Sequence, residues 1–123
     1  MDLMLEDKVA MISGGSKGIG LNIARDLAAD GCHVAISGRT QADLDEAVKN
    51  IGAQERGRVI SFCGDMNVKE DCEKFLAAAV GEFGGVDILV NNVGGSDPKP
   101  LLETTDEDWL KVFEFNLFNA VRL

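Results

Sequence analysis

Eight residues near the start of the chain, Ser13-Gly14-Gly15-Ser16-Lys17-Gly18-Ile19-Gly20, combine glycine, small hydroxyl side chains and one cation. An apolar run, Val9-Ala10-Met11-Ile12, precedes them and reads as a buried strand. An amphipathic stretch from Ile19 to Ala29 follows and reads as a helix. A glycine-rich bend between strand and helix brings bare backbone close to a phosphate. The first amide N–H groups of the helix have no intrahelical acceptor, and its dipole favours an anion at that end. The spacing is G-x-x-x-G-x-G. It assigns the tight turn to Gly14, the close approach of a pyrophosphate to Gly18 and the packing of helix on sheet to Gly20. The chemistry this implies is binding of a dinucleotide.

The adenosine end of such a ligand is read from the second strand. An acidic residue there would take a ribose 2′-hydroxyl, as in NAD-binding versions of this arrangement. Here the segment is Ser37-Gly38-Arg39-Thr40, without a carboxylate. Arg39 can fork onto a 2′-phosphate, and Lys17 adds a second positive charge. Two cations converging in an otherwise acidic chain predict NADP(H) over NAD(H).

These residues need elements to hold them, and the chain alternates strand-like and helix-like patterns. Strands are predicted at Val9–Ile12, Val34–Ile36, Val59–Phe62 and Val86–Val90. Helical stripes run from Ile19 to Ala29, from Gln41 to Ala53 and through Cys72, Phe75, Leu76, Ala79, Val80 and Phe83, stopped by Gly84-Gly85. A Gly/Pro-rich loop spans Gly94 to Pro100. A last helix is predicted behind a capping box with Thr104 as N-cap and Glu107 three residues on. Its apolar stripe carries Trp109, Val112, Phe113, Asn116, Leu117, Ala120 and Val121, so Asn116 reads as a buried amide that must be satisfied. Short apolar strands alternating with helices predict an α/β fold: a Rossmann-like parallel sheet, strand order 3-2-1-4, helices on both faces, and a crevice between strands 1 and 4.

Composition narrows the classes. The 123 residues predict one partial dinucleotide-binding domain over 1–123. A net charge of −9 argues against a nucleic-acid partner. No run approaches the roughly 20 apolar residues of a membrane span. The acidic start, Met1 to Asp7, shows no signal-peptide pattern, and the chain is expected to be cytoplasmic. Cys32, Cys63 and Cys72 form no C-x-x-C pair, which fits reduced thiols, with Cys63 and Cys72 expected as buried filler. His33, the single histidine, has no metal-ligating neighbour in sequence, and no metal is expected.

In these motifs the chain resembles the short-chain dehydrogenase/reductase family. The family's T-G-x-x-x-G-I-G appears from Ser13 to Gly20, with Ser for Thr; its N-N-A-G appears as Asn91-Asn92-Val93-Gly94, with Val for Ala. The acidic residue after strand 3 matches Asp65, followed by Met66, and the asparagine of helix 4 matches Asn116. The resemblance implies a nicotinamide dinucleotide cofactor and hydride transfer between a carbonyl and an alcohol on a small substrate. The expected cofactor contacts are Ser13, Gly14, Ser16, Lys17, Gly18, Ile19, Gly20, Arg39, Thr40, Asp65, Met66, Asn91, Asn92 and Gly94. Asp65 alternatively reads as a solvated turn aspartate, and Asn91 and Asn92 as turn-forming residues. The resemblance gives Asn116 a place in the catalytic set, where the family's asparagine helps hold a water of the proton relay; a purely structural asparagine is the competing reading.

The family's proton donor is a tyrosine in Y-x-x-x-K, and this chain contains no tyrosine. The expectation is therefore a chain inactive by itself, either the N-terminal part of an NADP-dependent oxidoreductase or a catalytically inactive nucleotide-binding or interaction protein. A Rossmann methyltransferase is disfavoured by N-N-x-G and by the missing acid after strand 2. Strand 4 is expected at a sheet edge, with Trp109, Val112, Phe113, Phe115, Leu117 and Phe118 forming an apolar band on helix 4. Each such side chain gains roughly 1.5–3 kcal/mol on burial. Self-association through strand 4 and helix 4, a helix that the resemblance also places at the subunit interface, is the expected consequence.

Overall fold

The computed structural model describes residues 1–52 and 57–123. Four parallel strands form one sheet: β1 (Val9–Ile12), β2 (His33–Gly38), β3 (Val59–Cys63) and β4 (Ile88–Val90), in the order β3-β2-β1-β4. This is the predicted order. Helices α1 (Gly18–Ala29), α2 (Gln41–Gly52) and α3 (Lys69–Phe83) make the crossovers. The predicted end of the second helix, Ala53, lies outside the described residues. β1 is one of the two inner strands: Ala10 faces Val34 on one side and Ile88 on the other.

Strand side chains alternate between two faces, and each face has its own core. Ala10, Ile12, Val34 and Ile36 pack with Ala24 and Ala28 of α1 and with Leu44, Ala47 and Ile51 of α2. Met11 and Ala35 point the other way, onto Met66 and the Cys72, Phe75 and Ala79 face of α3. The near-continuous apolar strands are thus explained by helices on both sides.

β4 begins two residues later than predicted. Val9 N–H donates to the Asp87 carboxylate (2.8 Å) while Asp87 N–H donates to Val9 O (2.9 Å), so a side chain replaces the expected ladder bond. β4 lies at the sheet edge, with Leu89 exposed.

Beyond β4 the chain forms a short 3₁₀ turn (Leu101–Glu103), α4 (Asp106–Phe113), a π-helical turn (Glu114–Phe118) and α5 (Asn119–Arg122). The capping box is one residue later than predicted. Thr105 is the N-cap: its hydroxyl accepts from Asp108 N–H, and the Asp108 carboxylate accepts from Thr105 N–H. Thr104 instead donates its hydroxyl to Pro100 O. The single predicted helix is broken because Asn116 Nδ2 donates to Val112 O (2.9 Å), the carbonyl that Asn116 N–H would use in an α-helix.

Two burial expectations are corrected. Asn116 is exposed, because no described element covers its stripe, and Trp109, Val112, Phe113, Leu117, Phe118 and Val121 are exposed with it. Cys63 is also exposed, since it ends the edge strand β3, whereas Cys32 and Cys72 are buried. Among the described residues no helix is long and apolar enough to cross a membrane.

Candidate functional site

The turn after β1 is fixed by polar contacts to both neighbouring strands. Ser13, almost fully buried, accepts N–H donations from Asn92 (3.0 Å) and Val93 (3.3 Å) at its Oγ, while its own N–H donates to Val90 O (3.1 Å). On the other side Ser37 Oγ accepts Gly14 N–H (3.2 Å), and Ser37 O accepts Gly15 N–H (2.9 Å). Asn92 Nδ2 donates to Gly14 O (2.9 Å). The bend is therefore held open from β2 and from the end of β4.

Glycine is required here for two reasons. Gly14 and Gly18 have φ of +65° and +56°, a region that side chains strain. Gly20 is confined instead by space: a Cβ there would lie 2.3 Å from Gly14 O and 2.5 Å from Asn92 Nδ2. Its close approach is thus to the turn and to Asn92. Lys17 is the N-cap of α1 and makes no side-chain cap, and the first bond into the helix is Leu21 N–H to Lys17 O (3.2 Å). The amides before Leu21 are the ones a helix leaves without an intrahelical acceptor.

The turn opens on a crevice of about 360 Å³ between the strand ends. Of the predicted contact residues, Gly14, Ser16, Lys17, Arg39, Asp65, Met66, Asn92 and Gly94 line it. Ser13 sits beneath it as a staple. Gly18, Ile19 and Gly20 form the start of α1 without lining the crevice, and Ile19 is exposed. Thr40 also lies outside the lining and gives its carbonyl to Leu44 N–H at the head of α2. Asn91 is exposed and outside the lining, while Asn92 reaches the turn. Ser37, Gly38, Gly64, Val93 and Phe115 line the crevice and were missed. A small polar residue at the end of an apolar strand was the available signal for Ser37; nothing local marked Phe115.

Asp65 is partly committed to its own loop. Its Oδ1 accepts Asn67 N–H (2.9 Å), an Asx turn, and its N–H donates to the Asp71 carboxylate (2.8 Å). Met66 is 3% exposed and packs in the α3-side core while touching the crevice.

Asn116 lies outside the crevice lining but controls its wall. Its Oδ1 accepts Gly95 N–H (2.9 Å) and its Nδ2 donates to Gly95 O (2.7 Å) as well as to Val112 O. A Cβ on Gly94 would lie 2.7 Å from Asn116 Oδ1. The amide therefore clamps the loop after β4 onto the π turn. Asn119, two per cent exposed, donates to Val93 O and Phe115 O and is the buried amide of this helix; the sequence did not distinguish it from Asn116. Lys111 pairs with Glu107 (3.2 Å) along the exposed side of α4. A larger hollow of about 800 Å³ adjoins the crevice at Arg39 and Phe115 and is walled mainly by α4 and residues 95–97. The glycine turn opens into the smaller crevice, through Gly14, Ser16 and Lys17. Burial pushes the Cys32 and Cys72 thiols upward in pKa, which makes neither a ready nucleophile.

The family model described as short chain dehydrogenase matches residues 8–123. The chain belongs to the short-chain dehydrogenase family. An uncharacterised oxidoreductase of Mycobacterium tuberculosis is 41% identical over 116 residues, covering 94% of this chain and 44% of that relative. L-2,3-butanediol dehydrogenase of Corynebacterium glutamicum is 39% identical over 116 residues, covering 92% and 44%. The structure of L-sorbose reductase from Gluconobacter frateurii, complexed with NADPH and L-sorbose, superposes with a TM-score of 0.95 at 36% identity, covering all of this chain and 47% of that one. The chain thus spans less than half the length of these short-chain dehydrogenase relatives.

Proposed function

We propose that this chain forms the cofactor-binding part of an NADP(H)-dependent oxidoreductase acting between a carbonyl and an alcohol. The observation that carries the reading is the bend at Gly14–Gly20, open to a crevice with Lys17 and Arg39 on its lining. The open amides at the head of α1 receive the pyrophosphate. Gly18, Ile19 and Gly20 contribute backbone there, while Ser16 lines the crevice beside them. Asn92 keeps the bend at its working distance from β4. Arg39 and Lys17 take a 2′-phosphate, and Thr40 fixes the head of α2 behind them. Asp65 and Met66 face the adenine. Asn91, exposed beside Asn92 at the end of β4, is assigned to the ribose end of the cofactor by the family motif alone.

The cofactor, once bound, supplies or accepts the hydride. Asn116 acts as a positioning residue for the loop that borders the crevice. With no tyrosine among its 123 residues, the chain by itself has no proton donor of the family's kind and is inactive alone. Support for NADP(H) comes from the cations, from the missing carboxylate after β2, and from the NADPH bound by L-sorbose reductase. The exposed apolar side of α4 and the β4 edge support self-association through these elements.

Calorimetric titration with NADPH and NADH, on the chain and on Arg39→Ala, tests the cofactor assignment. The reading predicts NADPH binding at least tenfold tighter, with most of that preference lost in Arg39→Ala. Equal binding of both, with Arg39→Ala silent, removes it.

A further inference from the structure

The two cations at the crevice are in different states. Arg39 is exposed, and no carboxylate pairs with it among the described residues. Lys17 is engaged: its Nζ lies 3.0 Å from Asp43 Oδ2. The Asp43 side chain is 32% exposed and that of Lys17 73%, so the carboxylate is the more buried partner and the lysine the more accessible one. Asp43 sits in the first turn of α2, where the helix dipole favours a negative charge. Lys17 borders both the crevice and a separate hollow of about 240 Å³ between the glycine turn and α2, which Asp43 helps to wall. The pair therefore holds the ammonium toward α2.

Resting on the NADP(H) reading, we propose that Asp43 is a selectivity residue that competes with the 2′-phosphate for Lys17. A 2′-phosphate arriving beside Arg39 must draw Lys17 away from Asp43 and then stand near that carboxylate. A cofactor with a 2′-hydroxyl meets neither opposition. Asp43 therefore weakens NADP(H) while leaving NAD(H) almost unaffected, which moderates a preference that Arg39 and Lys17 create. Lys17 alone does not explain the state of the site; the carboxylate four residues beyond Arg39 sets how much of its charge a ligand meets.

The test is calorimetry on the chain, Lys17→Met, Asp43→Asn and the double variant. The probes are NADP⁺ and NAD⁺, with 2′,5′-ADP and 5′-AMP reporting the adenosine end alone. Asp43→Asn is expected to tighten NADP⁺ and 2′,5′-ADP about three- to tenfold, the range for freeing one partly screened lysine charge to meet a phosphate. NAD⁺ and 5′-AMP stay within about twofold. In the Lys17→Met background the gain from Asp43→Asn shrinks to about twofold, because the competition is gone and only the screened repulsion between carboxylate and phosphate remains. Asp43→Ser removes the same charge and must reproduce the gain, which covers a folding defect in Asp43→Asn. If NADP⁺ affinity is unchanged or weaker in both Asp43 variants while Lys17→Met weakens it, the inference is overturned and the cofactor reading stands. If the unmodified chain binds NADP⁺ and NAD⁺ equally, or neither, and Lys17→Met changes nothing, both fall together.

Discussion

The β1–α1–β2 region and the α4–α5 region are held together by different means. Around the glycine turn, β1 is buried along its length, Ser37 of β2 accepts Gly14 N–H, and Ser13 accepts Asn92 N–H from the segment after β4. In α4 no residue is buried. That segment is held by polar clamps: Asn116 on Gly95, Lys99 on Asp108, and Arg122 on Asn67 O and Glu114. Of the two buried side-chain oxygens that lack a partner among the described residues, Asn119 Oδ1 belongs to this second region, and Asn67 Oδ1 belongs to the loop between β3 and α3 on which Arg122 closes. The contrast teaches that the glycine turn has its polar partners within these residues, whereas α4 is oriented by hydrogen bonds and presents its apolar side outward.

That contrast is open to attack by substitution. The largest effect is expected from Phe75→Ala, which empties a fully buried site between α3 and the sheet. Urea unfolding should show a loss of about 3–5 kcal/mol. Ser13→Ala comes next. It strands the N–H groups of Asn92 and Val93 and should cost about 1–3 kcal/mol, together with weaker cofactor binding. A neutral Ser13→Ala would show that the turn does not depend on its staple.

The clamp at the head of α4 sharpens the comparison through pH. Hydrogen bonding to the Lys99 ammonium, then to Thr105, holds the Asp108 carboxyl well below the usual carboxylate range. A depressed folded pKa gives stability that is present above the unfolded value of about 3.9 and is lost as pH falls through the folded one. Any melting difference between the chain and Lys99→Met should therefore persist at pH 4 and fade only in stronger acid. A difference that disappears between pH 5 and 4 would contradict the clamp. Phe113→Ala is expected to have the smallest effect, within about 0.5 kcal/mol for the monomer, because the ring is already 47% exposed. The same change should weaken self-association measured by sedimentation; an unchanged assembly would remove that face from the interface.

Much of this architecture was legible in the residues. Apolar strands of three to six residues, glycine stops and 3.6-spaced stripes fix the elements, and right-handed crossovers leave few orders for four parallel strands. The Gly14–Gly20 bend was legible because strand and helix flank it. The cap of α4 was misplaced because Thr104–Glu107 and Thr105–Asp108 are overlapping boxes of equal local merit. Asn91 and Asn92 are adjacent, and only the three-dimensional turn decides which one reaches Gly14 O. The stripe predicts a buried Asn116 because periodicity reports a face without reporting what covers it. Ser37 carries a local signal as a small polar residue at the end of an apolar strand, whereas Phe115 enters the crevice through tertiary contacts, which no local pattern encodes.

The central claim is that the pyrophosphate sits on the bend between β1 and α1. Amide chemical-shift mapping of the ¹⁵N-labelled chain during titration with NADP⁺ tests it most directly. The account predicts the largest shifts at Gly14, Ser16 and Gly18–Gly20, with Arg39 and Asp65 following. Shifts confined to residues 95–97 and α4, around the larger hollow, would contradict it.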